Sequence, residues 1–249
     1  MAEPFDVVVF QKFATLGGVD ATKAAGKRVI WDVCDPAWWW VPDDSRAIAD
    51  RVDGVVASSV ALADDFREWE GGNVLVRCIP DRPLLSHYDR QRVHQDVSPV
   101  RLIWFGLALN RASMLSGIAF MERAAANGHR IELTVCDDRP DQQFRITDKF
   151  PIYHVPWSLE SEVEIISAHD IAFLPPYPGP WGRVKSNNKS LTAWACGLPV
   201  SDGQDYGLLE AMISDHVWRT RATEIGAAKM HVEGGAELSA YEWISYVSE

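Results

Sequence analysis

The run Lys185-Ser186-Asn187-Asn188-Lys189 follows a Pro/Gly-rich loop, Pro175 to Arg183, and packs two cations and three short polar side chains into five residues. Read as the opening of a helix, the two lysines at i and i+4 share one side of the first turn. Cations there oppose the helix dipole. That local penalty makes sense where an anion binds, and in an acidic chain this run is the best candidate for a diphosphate site. A second candidate is Gly106, directly after the apolar run Val100–Phe105 and ahead of a helix beginning near Asn110–Ser113. A glycine there lets a phosphate approach the backbone while the helix N-terminus supplies N–H donors. Alone, it reads first as a tight βα turn. For proton transfer the candidates are Asp32 and Asp35, at and just beyond the end of Arg28–Asp32. A carboxyl beside Trp38, Trp39 and Trp40 has apolar surroundings that raise its pKa and suit it to act as general base toward an acceptor hydroxyl. Asp35, farther out in the loop, is the better placed, and capping of the next turn is the plain alternative for each. Three adjacent tryptophans cannot all enter one core, so at least one is expected in a cleft or against a partner, and a homodimer is one such arrangement.

Other residue types exclude more than they suggest. G-x-G-x-x-G is missing after the first apolar run, where Gly17-Gly18 is the nearest approach, and no G-x-x-x-x-G-K-[ST] occurs, which disfavours dinucleotide and P-loop sites. Four cysteines (Cys34, Cys78, Cys136, Cys196) form no C-x-x-C pair and read as buried free thiols. His154 and His169 read as hydrogen-bonding residues. Asp137, Asp138 and Asp141 follow a strand in a polar loop, a weak signal for a cation, and no metal site is assigned. No Ser/His/Asp arrangement emerges.

Short β-rich runs alternating with helical patterns must position these groups. Phe5–Phe10, Arg28–Asp32, Gly54–Ala57 and Asn73–Ile79 read as buried strands, with helical patterns over 11–25, Ser45–Arg51 and Ser59–Glu70; in the last, Leu62, Phe66 and Trp69 share a face. Asp81–Ser98 reads as a linker. The alternation resumes with strands Val100–Phe105, Arg130–Cys136 and Ile152–Val155 and a helix over Ala112–Asn127. A helix capped by Ser158 follows, burying Val163, Ile165 and Ile166, then strand Asp170–Pro175, helix Ser190–Cys196 ended by Gly197, and helices over 207–249. Two successive βα arrays imply an α/β chain of two Rossmann-like domains facing a cleft, residues 1–95 and 99–249.

Composition agrees with a soluble globular chain: 249 residues, 47% hydrophobic and 24% charged. Its net charge is −11 and neither half is basic, which argues against a nucleic-acid polymer as partner. No apolar run approaches membrane-spanning length, and Met1–Pro4 has no leader character, so a cytoplasmic protein is expected.

These residues resemble a known family, the GT-B fold nucleotide-sugar glycosyltransferases of the retaining, group-one type. The most specific stretch is KSNNKSLTAWACGLPV (Lys185–Val200), which looks like that family's K-S-x-x-K-x-L-E-x-x-A-x-G-x-P-V segment. IWFG (Ile103–Gly106) and HVPWSLESEVEIISAHDIAFLPP (His154–Pro176) resemble its donor-domain strands and nucleotide-base loop. WDVCDP (Trp31–Pro36), ADRVDGVVASSVALAD (Ala49–Asp64) and RCIPD (Arg77–Asp81) resemble first-domain segments in the same order.

The resemblance implies a glycosyltransferase that moves a sugar from a nucleoside-diphosphate donor to a hydroxyl acceptor, with retention, without metal and without a separate cofactor. Lys189 and Lys185, with Ser186, Asn187 and Asn188, would hold the diphosphate; Gly106 would let it approach; Trp157 would lie in the base loop; Asp35 and Lys189 would be catalytic. The family's ribose-binding glutamate is replaced by Thr192, a second glutamate by Val184, and the first domain is short. Those departures leave a second reading, a non-catalytic or partner-completed nucleotide-binding module with an open acceptor side.

Overall fold

The structure, a computed structural model, describes residues 5–88, 90, 92–143 and 146–248, so Met1–Pro4 lie outside it. Two compact units result: one comprises Met1–Asp81, Pro180–Asn187 and Glu237–Glu249, the other Arg82–Gly179 and Asn188–Ala236. The sequence division near residue 95 therefore misplaces three segments. Residues 82–98 belong to the second unit, while 180–187 and the last helix return to the first.

In the first unit β1 (Val7–Gln11), β2 (Arg28–Val33), β3 (Gly54–Ala57) and β4 (Val76–Cys78) form a parallel sheet in the order β1-β2-β3-β4. Right-handed crossovers that always step the same way put every connecting helix on one face. These are α1 (Leu16–Ala24), α2 (Pro42–Ala49) and α3 (Val60–Glu70), and they enclose Val29, Trp31, Val33, Leu62 and Phe66. The opposite face, with Ile30, Val56 and Ile79, is covered by Trp243 and Tyr246 of α11 (Ala236–Ser248). Local chemistry sets the helix starts: Ser59 Oγ accepts from Leu62 N at 3.1 Å and Thr15 Oγ1 from Gly18 N at 3.2 Å. Of the tryptophan triplet only Trp38 is buried, stacked 5.8 Å from Trp69. Trp39 and Trp40 are exposed. The short helix α7 (Pro180–Val184) sends Val184 into the same core.

The second unit contains α4 (Leu85–Tyr88), β5 (Val100–Phe105), α5 (Arg111–Ala126), β6 (Ile131–Asp137), β7 (Ile152–Pro156), α6 (Glu162–Ser167) and β8 (Ile171–Phe173). It continues with α8 (Asn188–Ala195), β9 (Val200–Ser201), α9 (Tyr206–Ser214) and α10 (His216–Glu233). Its sheet is parallel in the order β7-β6-β5-β8-β9, the doubly wound arrangement whose direction reverses at β5. Both faces are therefore covered by helices. Met114, Met121, Leu209 and Met212 pack on one face, Val163, Ile166, Ala193 and Leu198 on the other.

Three sequence readings change here. The stretch read as a linker is built into the second unit: Arg92 donates to the Ser167 carbonyl and to Asp170, and His94 is buried with Nε2 2.9 Å from Thr223 Oγ1. The helix expected from Ser158 starts at Glu162, because Ser158 and Ser161 pair their hydroxyls at 2.8 Å in a preceding turn; Val163 and Ile166 are buried but Ile165 only in part. The strand expected over 73–79 keeps only Val76–Cys78 in the ladder. Among the described residues no helix is long and apolar enough to cross a membrane.

Candidate functional site

In the second unit the chemistry gathers at the C-terminal ends of β5, β6 and β7, the edge where α/β sheets bind ligands. Gly106 leaves β5 with φ +150° while its N–H donates to the Cys136 carbonyl at 3.1 Å. A methyl group built on it would run into the ammonium of Lys189 and lie 3.0 Å from that side chain's Cε. Glycine is needed here both for backbone conformation and for the space Lys189 fills. The ammonium also lies 4.9 Å from the centre of the Trp104 ring, so a cation is held against the strand end in the first turn of α8. Thr192 is three residues farther along α8 and half-buried; Asn188, the first residue of the helix, is exposed.

Trp157 follows β7, its N–H donating to the Asp137 carbonyl at 2.9 Å and its indole N–H to Glu162 Oε2 at 2.5 Å. The other Glu162 oxygen accepts from the Tyr88 hydroxyl. A buried carboxylate thus fixes a ring that stays 45% exposed. Nothing in the sequence marks Glu162 or Tyr88 as a site residue: the S-L-E-S-E spacing places Glu162, like Glu160, only among the carboxylates of a helix's first turn. Asp137, read above as a weak cation signal, is fully buried and bidentate to Arg111, at 2.5 and 2.9 Å, and Asp138 accepts from Ala108 N at 2.6 Å. Among the described residues one group of metal-ligating side chains lies close together, Asp96, Asp215 and His216. His216 Nδ1 is 2.8 Å from Asp96 and Asp215 caps α10. A cavity of about 620 Å³ beside β7, lined by Thr147, Lys149, Phe150 and His154 among others, includes none of the candidate residues.

In the first unit the corresponding sheet edge carries Gln11, Asp32, Asp35 and Asp81. Asp35 is surrounded by donors: Lys185 Nζ at 2.6 Å and the Trp181 indole N–H at 3.1 Å on Oδ1, and Lys12 Nζ at 3.3 Å on Oδ2. Lys12 reaches it from a backbone φ of +64°, the left-handed region uncommon for a lysine. Burial alone would raise the Asp35 pKa, but the Lys185 hydrogen bond and charge, the Trp181 bond and Lys12 outweigh it and hold the carboxyl low. The raised pKa expected of Asp35 is thus reversed, since the folded loop brings it two ammonium groups. Asp32 carries the raised pKa expected of either carboxyl. Burial, then the charge of Asp81, push it up to about 6, against the hydrogen bond from Gln11. Asp81 is raised chiefly by burial, opposed by the Ser186 hydroxyl, 3.4 Å away, and by Lys185.

The run Lys185–Lys189 is not one helical turn. Helix α7 ends at Val184 and α8 opens at Asn188, leaving Lys185, Ser186 and exposed Asn187 between them. Lys185, Ser186 and Asn187 belong to the first unit and Asn188 and Lys189 to the second. The i, i+4 argument that joined the lysines fails because the intervening residues are not helical.

No family model and no curated protein matches this sequence. Solved structures do. Anabaena HepE in complex with UDP-glucose superposes with a TM-score of 0.73 at 12% identity, over 98% of this chain and 78% of its own. This is the GT-B fold. Sucrose-phosphate synthase from Thermosynechococcus elongatus matches at TM-score 0.69 and 13% identity, covering 98% of this chain and 73% of the synthase. The α,α-trehalose 6-phosphate synthase of Burkholderia multivorans matches at 0.67 and 10%, covering 97% and 70%. At these identities the likeness establishes the GT-B architecture, with its two Rossmann-like α/β units, and the chemistry has to be argued from the residues.

Proposed function

We propose that this GT-B chain is a glycosyltransferase that moves a sugar from a nucleoside diphosphate to a hydroxyl acceptor, with retention and without a metal ion. The observation that carries the reading is Lys189 held against Gly106 at the end of β5. A cation fixed beside a side-chain-free strand end, at the switch point of a doubly wound sheet, suits a leaving diphosphate, where the largest negative charge of the reaction develops. Trp157, anchored by Glu162, offers an exposed ring face to a nucleobase. Thr192, one turn beyond Lys189, offers a hydroxyl to the ribose, and Asn188 adds polar groups at the α8 N-terminus. Lys185, already paired with Asp35, leaves the main charge neutralisation to Lys189; Ser186 likewise faces Asp81. HepE, recorded with UDP-glucose, makes that compound the first donor to test.

Thermal shifts with UDP-, GDP-, ADP-, CDP- and dTDP-sugars test donor binding, since a ligand of the native state raises Tm. Lys189→Ala should abolish the shift and turnover while the protein stays folded. Unchanged turnover in that variant would sink the assignment.

One observation favours a second reading, a nucleotide-binding module without catalysis. Val184, where the resembling family carries a second glutamate, is buried in the first core with its carbonyl accepting from Ser59 at 2.7 Å. Release of nucleoside diphosphate by the purified chain excludes that reading.

A further inference from the structure

We propose that Trp104 is a positioning residue of the donor site: its buried ring holds the Lys189 ammonium at the end of β5, ready for a diphosphate, without neutralising it. The inference rests on the donor-site reading above and lies wholly within the second unit.

Its basis is the side of the sheet on which the ammonium sits. Side chains alternate along β5, so Leu102 and Trp104 enter one core with Met114 and Met121, while Ile103 and Phe105 enter the opposite one with Ala193 of α8. Lys189 also belongs to α8, yet its ammonium lies over the Trp104 ring. Gly106 explains the crossing. Two residues beyond Trp104, it falls on the ring's side of the strand, and the lysine fills the space its absent side chain leaves. The tip of the indole borders that space, with Cη2 3.5 Å from where a Gly106 Cβ would stand.

The ring is fixed at its other end. Trp104 is fully buried, and its indole N–H donates to the hydroxyl of buried Ser113, in the first turn of α5, at 3.2 Å. An aromatic face attracts a cation through its quadrupole, more strongly once desolvated, and it has no net charge with which to cancel that of the cation. Lys185 is the contrast within this chain. It too lies over a ring, Trp181 at 5.0 Å, but it is bonded to the Asp35 carboxylate at 2.6 Å, which neutralises it. An ammonium held on a ring keeps its charge for an arriving anion, and phosphate oxygens bind such a donor strongly.

Fluorinated tryptophans inserted at position 104 alone weaken the attraction of the ring for a cation with little change in volume. UDP affinity, measured by calorimetry, should fall stepwise with each added fluorine while Tm without ligand stays near that of the wild type. Trp104→Met should lower UDP affinity about 5- to 30-fold, the effect of losing a cation–π contact that is partly to fully desolvated, and Trp104→Phe should keep most of the affinity. The NMR signal of the Lys189 Cε methylene, assigned by its loss in Lys189→Arg, reads the contact without ligand. Ring current should shift it upfield in the wild type and in Trp104→Phe, and not in Trp104→Met. UDP affinity that is independent of fluorination overturns the proposal, as does an unshifted Lys189 signal in the wild type. A wild type whose Lys189 signal is ring-shifted but which binds no nucleoside diphosphate overturns the donor-site reading, and this role of the ring with it.

Discussion

The hydroxyl of Tyr246 occupies the space that a side chain on Gly54 would need, and its Cζ lies 3.2 Å from where that Cβ would be. The contact ties the last helix to β3 in the middle of the first sheet. Gly54→Ala should therefore push Tyr246 outward and destabilise the protein by about 1–3 kcal/mol, the usual range for overpacking a filled site. Urea denaturation measures it. Adding Tyr246→Phe should recover part of the loss, because the atom in conflict is removed; purely additive effects would refute the contact as the cause.

Gly106→Ala places a methyl group against the Lys189 side chain and strains a backbone at φ +150°. The displaced ammonium should weaken donor binding, and turnover should fall about 10²- to 10³-fold, as when one transition-state charge contact is lost. Titration with UDP-glucose and initial rates check both. A wild-type dissociation constant in Gly106→Ala would show that Lys189 works from elsewhere.

Removing Asp35 leaves Lys185 and Trp181 without their shared acceptor. Asp35→Ala should cost about 1–3 kcal/mol, the range for deleting one partner of a partly buried hydrogen-bonded group, and should leave nucleotide binding by the second unit unchanged. Equal loss of donor affinity in Asp35→Ala and Lys189→Ala would contradict this separation.

Glu162 joins Trp157 and Tyr88 through one buried carboxylate. In Glu162→Ala the indole of Trp157 loses its anchor, so tryptophan emission should shift to the red and nucleotide affinity should fall. Glu162→Gln retains an acceptor for one donor and should fall between. An unaltered spectrum in the alanine variant would show that the hydrogen bond does not fix the ring.

His94 has its pKa lowered to about 4 from 6.5, first by burial and then by Arg92, against a hydrogen bond from its ring to the Gly197 carbonyl. The unfolded chain therefore binds more protons than the native one between those values. This contribution is fully present above about pH 6.5 and is lost as pH falls toward 4. Replacing His94 with Gln should flatten the decline of Tm across that window; an equally steep decline would place its origin in other groups.

Strand cores were legible in the sequence where most of a run is buried: Gly54–Ala57, buried throughout, and Val100–Phe105, buried except at Arg101, lie where the apolar pattern puts them. A two-residue strand such as Val200–Ser201 has no period to detect. Gly106 and Lys189 were legible by type and order, as members of a motif. Glu162 was not, because its importance comes from Tyr88 and Trp157, and Tyr88 is far away along the chain.

By itself the sequence determined the βα alternation of both units and the polar run after the Pro/Gly loop, all matters of local pattern. Tertiary structure decided which side of the chain's division each piece of that run joins, that the last helix closes the first sheet, and which aspartate is neutralised. The reason is physical. A sheet wound in one direction leaves one face bare until a distant segment covers it, and a carboxyl's proton affinity is set by the charges folded around it, here Lys12 and Lys185 on Asp35 and Asp81 on Asp32.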